Sequence, residues 1–138
     1  MLRGICGRIR IDVQGDNQMD IISRKRGDVV VLDIKGNLGI TEIEGITLHK
    51  KVKGELEEGG TNFLLNFSDV VFMDSTGVGE LLASFVSIRN RSGKIKLENL
   101  PPKILFLFEV TGIIGLFEKF DDEEAAVQSF HEARPAEK

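Results

Sequence analysis

Two hydrophobic periods alternate along this chain, and that alternation constrains its fold more than any single residue does. Val30, Leu32 and Ile34 recur at every second position, the period of a strand. Leu48, Val52 and Leu56 recur at every fourth, the stripe of a helix. The two patterns then exchange again and again. Residues 62–67 read as a buried strand, and a short apolar run, Val70 to Met73, follows it. Val78, Leu81, Leu82, Phe85 and Ile88 keep helical spacing up to Gly93. Lys94, Ile95, Lys96, Leu97 and Glu98 alternate strictly, which predicts a strand with one wet face. Pro101 and Pro102 open a helix over residues 102–111, residues 116–120 read as a final short strand, and Asp121 to Glu124 begin a last helix with Ala126, Val127 and Phe130 turned inward. Strands alternating with helices predict an α/β fold: a mixed sheet of about four to five strands with about four helices. At 138 residues the chain has room for one such domain.

Local signals sharpen some of these elements. Val29 and Val31 are apolar like their neighbours, so the first strand of the body is covered on both faces. Thr41 and Glu44 form a capping box, which places a helix start there, and Gly59–Gly60 suits its end. The helix over residues 102–111 is apolar nearly all round, through Ile104, Leu105, Phe106, Leu107 and Phe108. It is either well buried or leaves an apolar patch in the open. The acidic residues of the last helix suit the positive end of its dipole and need no ligand to explain them.

Composition excludes several functions. The net charge is −4, from 18 basic and 22 acidic side chains, so the basic excess of a nucleic-acid binder is missing. The aromatics are all Phe, and Phe63, Phe67 and Phe108 sit in core-like runs rather than on a stacking platform. One cysteine, Cys6, allows no internal disulfide. Cys6 with His49 and His131 lacks metal-ligand spacing, and surface positions suit both histidines. No phosphate-binding loop, dinucleotide fingerprint or nucleophile elbow occurs, so no metal and no cofactor is expected. No apolar run is long enough to span a membrane, and the arginines of residues 1–12 are unlike a secretory signal. A cytoplasmic location is the expectation.

Residues 1–19 read as an irregular extension or a first-strand arm, with Gly4, Gly7, Gly15 and the polar run Gln14 to Gln18. A start of translation at Met19 is one account of them, which the mass of the native protein decides. The domain body is expected over residues 20–132, with 133–138 a frayed tail.

The segment from Phe72 to Gly79 is the unusual one. A strand-like run ends at Met73 and a helix begins within two residues. Asp74 or Ser75 suits the N-cap, and Gly77 and Gly79 leave the first turn bare for close approach by another molecule. Taken locally, a Ser or Asp here is ordinarily only a cap and a Gly only a packing accommodation. The functional reading is that Ser75 accepts a phosphate. A helix N-terminus tolerates an anion, and the added charge of about −1.5 to −2 would oppose a partner docked there.

Residues Phe72 to Leu81 resemble the phosphorylation motif of the bacterial anti-sigma factor antagonists, the STAS-domain proteins. Asn66 to Val70 is similar to that family's preceding strand, Leu107 to Ile113 to its third-helix segment, and Phe120 to Ala125 to its closing segment. The resemblance implies a single STAS-like domain and a non-enzymatic switch. The unphosphorylated protein would bind an anti-sigma factor that is also a serine kinase, phosphorylation of Ser75 would end binding, and a PP2C-type phosphatase would restore the serine. ATP would belong to the kinase. Asp74, Ser75, Thr76, Gly77, Val78, Gly79, Asn37 and Gly39 would form the partner surface, with Thr76 an alternative acceptor.

One departure stands out. Where many members carry an acidic residue after the first conserved strand, this chain has Gly39, in the run Gly36-Asn37-Leu38-Gly39; locally it reads as a turn residue. The runner-up function is a non-switched STAS scaffold, a subunit of a signalling or lipid-transport assembly that binds through the apolar helix around Phe106. A hydrolase or phosphotransferase using Asp74 and Ser75 lacks any neighbour in sequence to activate the nucleophile.

Overall fold

The computed structural model describes residues 8–11, 19–38 and 47–131. Among these, six strands form one sheet in chain order: β1 (Arg8–Ile11), β2 (Met19–Arg26), β3 (Val29–Leu38), β4 (Asn62–Met73), β5 (Lys94–Glu98) and β6 (Glu118–Phe120). β1, β2 and β3 are antiparallel neighbours, whereas β3 through β6 run parallel, so the sheet is mixed. Four helices complete the α/β fold: α1 (Leu48–Glu57), α2 (Ser75–Asn90), α3 (Pro102–Thr111) and α4 (Glu123–Ser129).

Alternation along the strands sorts the core into two layers. Val30, Leu32, Ile34, Phe63, Leu65, Phe67, Ile95 and Leu97 meet the inward stripes of α1, α2 and α3. Phe67 and Phe108 meet edge to face there, with centroids 6.0 Å apart. The opposite parity, Val29, Val31 and Leu64, packs with Ala126 and Phe130 under α4. The first body strand is covered on both faces, as its sequence predicts.

Several elements differ from their sequence reading. The Thr41–Glu44 box lies outside the described residues; the described α1 takes Thr47 as its cap, whose side chain accepts from Lys50 N–H at 3.1 Å. β4 is one strand of twelve residues, because the parallel ladder with β3 continues past Asp69 through two register shifts. β2 was not legible, since its two arginines face the α4 side and pair there: Arg24 with Asp33 and Glu123, Arg26 with Glu123 and Glu124. The wet face of β5 is in fact covered. Lys96 is 8% exposed and Glu98 0%, because α4 lies over them and Lys96 Nζ donates to Ser129 Oγ at 2.8 Å. His49 is half-buried, its ring 2.9 Å from Ser87 Oγ, while exposed His131 pairs with Asp28.

Candidate functional site

The C-terminal ends of β3 and β4 lie side by side, with Asn37 opposite Phe72 and Leu38 opposite Met73. Open α/β sheets place their ligands at that end of the parallel strands. Here the chain turns from Met73 into α2 through Asp74. Asp74 is the N-cap: Oδ1 accepts from the backbone N–H of Thr76 at 2.9 Å and of Gly77 at 3.2 Å, and its carbonyl accepts from Val78 at 3.0 Å. Of the two candidate caps the geometry selects Asp74, which frees Ser75 to be the first helical residue. Ser75 and Thr76 are both exposed, and the Ser75 hydroxyl makes no hydrogen bond to another described residue.

The two glycines divide their roles. Gly77 is buried, and a Cβ there would run into the Leu38 carbonyl oxygen and stand 2.9 Å from Met73 Cγ. Its bareness therefore serves the packing of α2 on the end of β3, not approach from outside. Gly79 is exposed with open space where a Cβ would be, so the outward face of the first turn is bare at that position. Val78 is buried beneath the turn, and half-buried Asn37 lies beside the site on β3. Gly39 is outside the described residues.

Glu80 was missed from sequence. Its Oε1 accepts from the backbone N–H of His49 at 2.9 Å, so a residue of the α2 first turns ties down the start of α1. A carboxylate five residues after a phosphoacceptor candidate gives no local hint that its partner is another helix.

Beside the turn, the apolar helix leaves its patch in the open. Val71 is 65% and Phe106 64% exposed, with Phe72 and Val110 also exposed. Together with Met73, Pro102, Ile104, Leu107 and Lys103 they line a groove of about 580 Å³ between the end of β4 and α3. Among the described residues no three His, Cys, Asp or Glu gather as a metal site, and no helix is long and apolar enough to cross a membrane.

A mixed sheet of this order with helices on both faces is the topology of the STAS class. The STAS domain model matches residues 20–126, and the chain belongs to that family, whose members are non-catalytic regulatory and scaffold proteins. Among the proteins it resembles are anti-sigma factor antagonists. It is 34% identical over 73 residues to the anti-sigma-B factor antagonist of Bacillus subtilis, covering 53% of this chain and 67% of that one. It is 35% identical over 81 residues to the anti-sigma-B factor antagonist of Listeria monocytogenes, covering 56% and 70%. The solved structure of the Bacillus cell fate determinant SpoIIAA in its phosphorylated form matches with a TM-score of 0.63 and 25% identity, over 80% of this chain and 98% of that one.

Proposed function

We propose that this protein is an anti-sigma factor antagonist switched at Ser75. Unphosphorylated, it binds an anti-sigma factor that is also a serine kinase and so releases the sigma factor. Phosphorylation of Ser75 ends the complex, and a PP2C-type phosphatase resets it. The observation that carries this reading is the exposed, unengaged Ser75 hydroxyl at the first position of α2, beside a cap already supplied by Asp74. Because the Asp74 carboxylate occupies the N–H groups of Thr76 and Gly77, a phosphate on Ser75 would lie against an existing negative charge. Both would be desolvated under a docked partner, at a cost of several kcal/mol. The relative seen in a phosphorylated form supports the same chemistry. Asp74, Thr76, Gly79 and Asn37 form the contact surface around the acceptor, and Gly77 and Val78 hold it in place.

Incubation with the anti-sigma factor kinase of the host and ATP tests this, with the phosphate located by mass and binding followed by titration. A single phosphate on Ser75 that weakens binding at least tenfold is expected, as is weakened binding by Ser75→Glu. The open groove at Phe106 favours a second reading, a scaffold docked through that face whatever the state of Ser75. Tight binding untouched by Ser75→Glu but lost on Phe106→Asp would decide for it.

A further inference from the structure

Under α4 lies a cluster of charged groups that the switch does not use. One row crosses the sheet in register: Ile22, Asp33, Asn66, Glu98, Phe120. Arg24 of β2 bridges from this row to α4. Its Nε and Nη2 donate to Asp33 at 2.6 and 3.0 Å, and its Nη1 and Nη2 donate to Glu123 at 2.8 Å each. Arg26 donates to Glu123 and to Glu124. Asn66 donates to Asp33 at 2.8 Å and Asn99 to Asn66 at 3.1 Å. On β5 itself, Lys96 is committed to Ser129 and to Glu118 of β6.

Glu98 stands apart in this cluster. It is 0% exposed, and among the described residues no N–H or hydroxyl donates to either oxygen of its carboxylate. The guanidiniums of Arg24 and Arg26 are taken by Asp33, Glu123 and Glu124. The charged groups around it are Arg24 from β2, Asp33 from β3 and Glu123 from α4. Two carboxylates cannot bond to each other, whereas a carboxyl and a carboxylate can. A carboxyl sealed from water with no cation of its own keeps its proton.

We propose that Glu98 carries a proton at neutral pH, donates it to Glu123, and thereby fastens α4 to the sheet as a clasp that loosens as pH rises. Burial, and then Glu123, push the Glu98 carboxyl up to about 8, while Arg24 holds Glu123 down at about 2. When α4 lifts, Glu98 returns to water and to an ordinary carboxyl range. The opened form is therefore favoured about tenfold more per pH unit between roughly 5 and 8, and no further above that. What the clasp covers is apolar: Val29, Val31 and Leu64 of the sheet.

Hydrogen exchange on the full chain from pH 5.5 to 9, corrected for intrinsic exchange chemistry, tests the clasp. Amides of α4 should lose about tenfold protection per pH unit up to about 8, and those of α2 should not. Glu98→Gln keeps a donor without a titrating proton, so its α4 protection should be flat over the range. The pair of His131 with Asp28 at the end of α4 is unchanged in this variant, so it is common to both proteins. Independently, the Glu98 carboxyl carbon should titrate by NMR near pH 8 in the unaltered protein. A Glu98 signal that titrates like a free glutamate, or an α4 slope equal in Glu98→Gln and the unaltered chain, overturns the proposal.

Discussion

Gly77→Ala and Gly79→Ala are the same chemical change two residues apart on one helix, and the structure assigns them opposite signs. In a helix, Ala is favoured over Gly by about 1 kcal/mol, so propensity alone stabilises both variants. Space decides otherwise at Gly77. The added methyl would meet the Leu38 carbonyl oxygen, 2.9 Å from Met73 Cγ and 3.0 Å from the Leu38 carbonyl carbon. Met73 can shift, but Leu38 O is backbone at the end of β3 and cannot rotate away. The start of α2 must lift by about 1 Å to restore contact distance. Overpacking of a tight core costs about 1–3 kcal/mol, and here backbone must move, so the upper end applies. After the propensity gain, Gly77→Ala should lose about 2 kcal/mol net. Gly79→Ala meets nothing within 4 Å and should gain about 0.5–1 kcal/mol. Urea unfolding at fixed pH reads both as shifts in midpoint at constant slope. Equal stabilities for the two variants, or a Gly77→Ala protein as stable as the parent, would refute the packing argument. If Ser75 is the acceptor proposed above, a Gly77→Ala protein should also present it displaced and be phosphorylated more slowly than the unaltered chain.

Further expectations follow from other parts of the structure. Phe108→Ala removes a fully buried ring that meets Phe67 and should cost about 3–5 kcal/mol in urea unfolding, whereas Phe106→Asp, on an exposed position of the same helix, should change stability by no more than about 0.5 kcal/mol. Asp74→Ala deletes the cap of α2 and should cost about 1 kcal/mol by the same assay. Glu123 is held at about 2 mainly by Arg24, below its ordinary value of 4.5, so its contribution is complete above pH 4.5 and is lost as pH falls towards 2. Acid unfolding of Glu123→Gln should accordingly show a shallower loss of stability in that window, by an amount on the order of 2 kcal/mol at most.

The α/β class was legible because periods of two and of about four are imposed by strand and helix geometry whatever surrounds them. Val30, Leu32 and Ile34, and the stripe Leu48, Val52 and Leu56, are buried as their spacing requires. The helix from Pro102 to Thr111 is also marked locally, by proline at its start and Gly112 at a φ of 80° past its end. The turn at Asp74 and Ser75 was visible for the same reason, since capping is a matter of neighbouring residues. Other features depend on elements far apart in the chain. Lys96 and Glu98 look solvated in their own strand and are buried only because α4, some thirty residues on, lies over them. Arg24 and Arg26 look like a polar segment until Asp33, Glu123 and Glu124 are brought to them. Gly77 seemed open to a visitor and proved closed by Leu38. Periodicity and capping are properties of adjacent residues and survive in the sequence, whereas burial and charge pairing belong to contacts that exist only once the sheet has assembled.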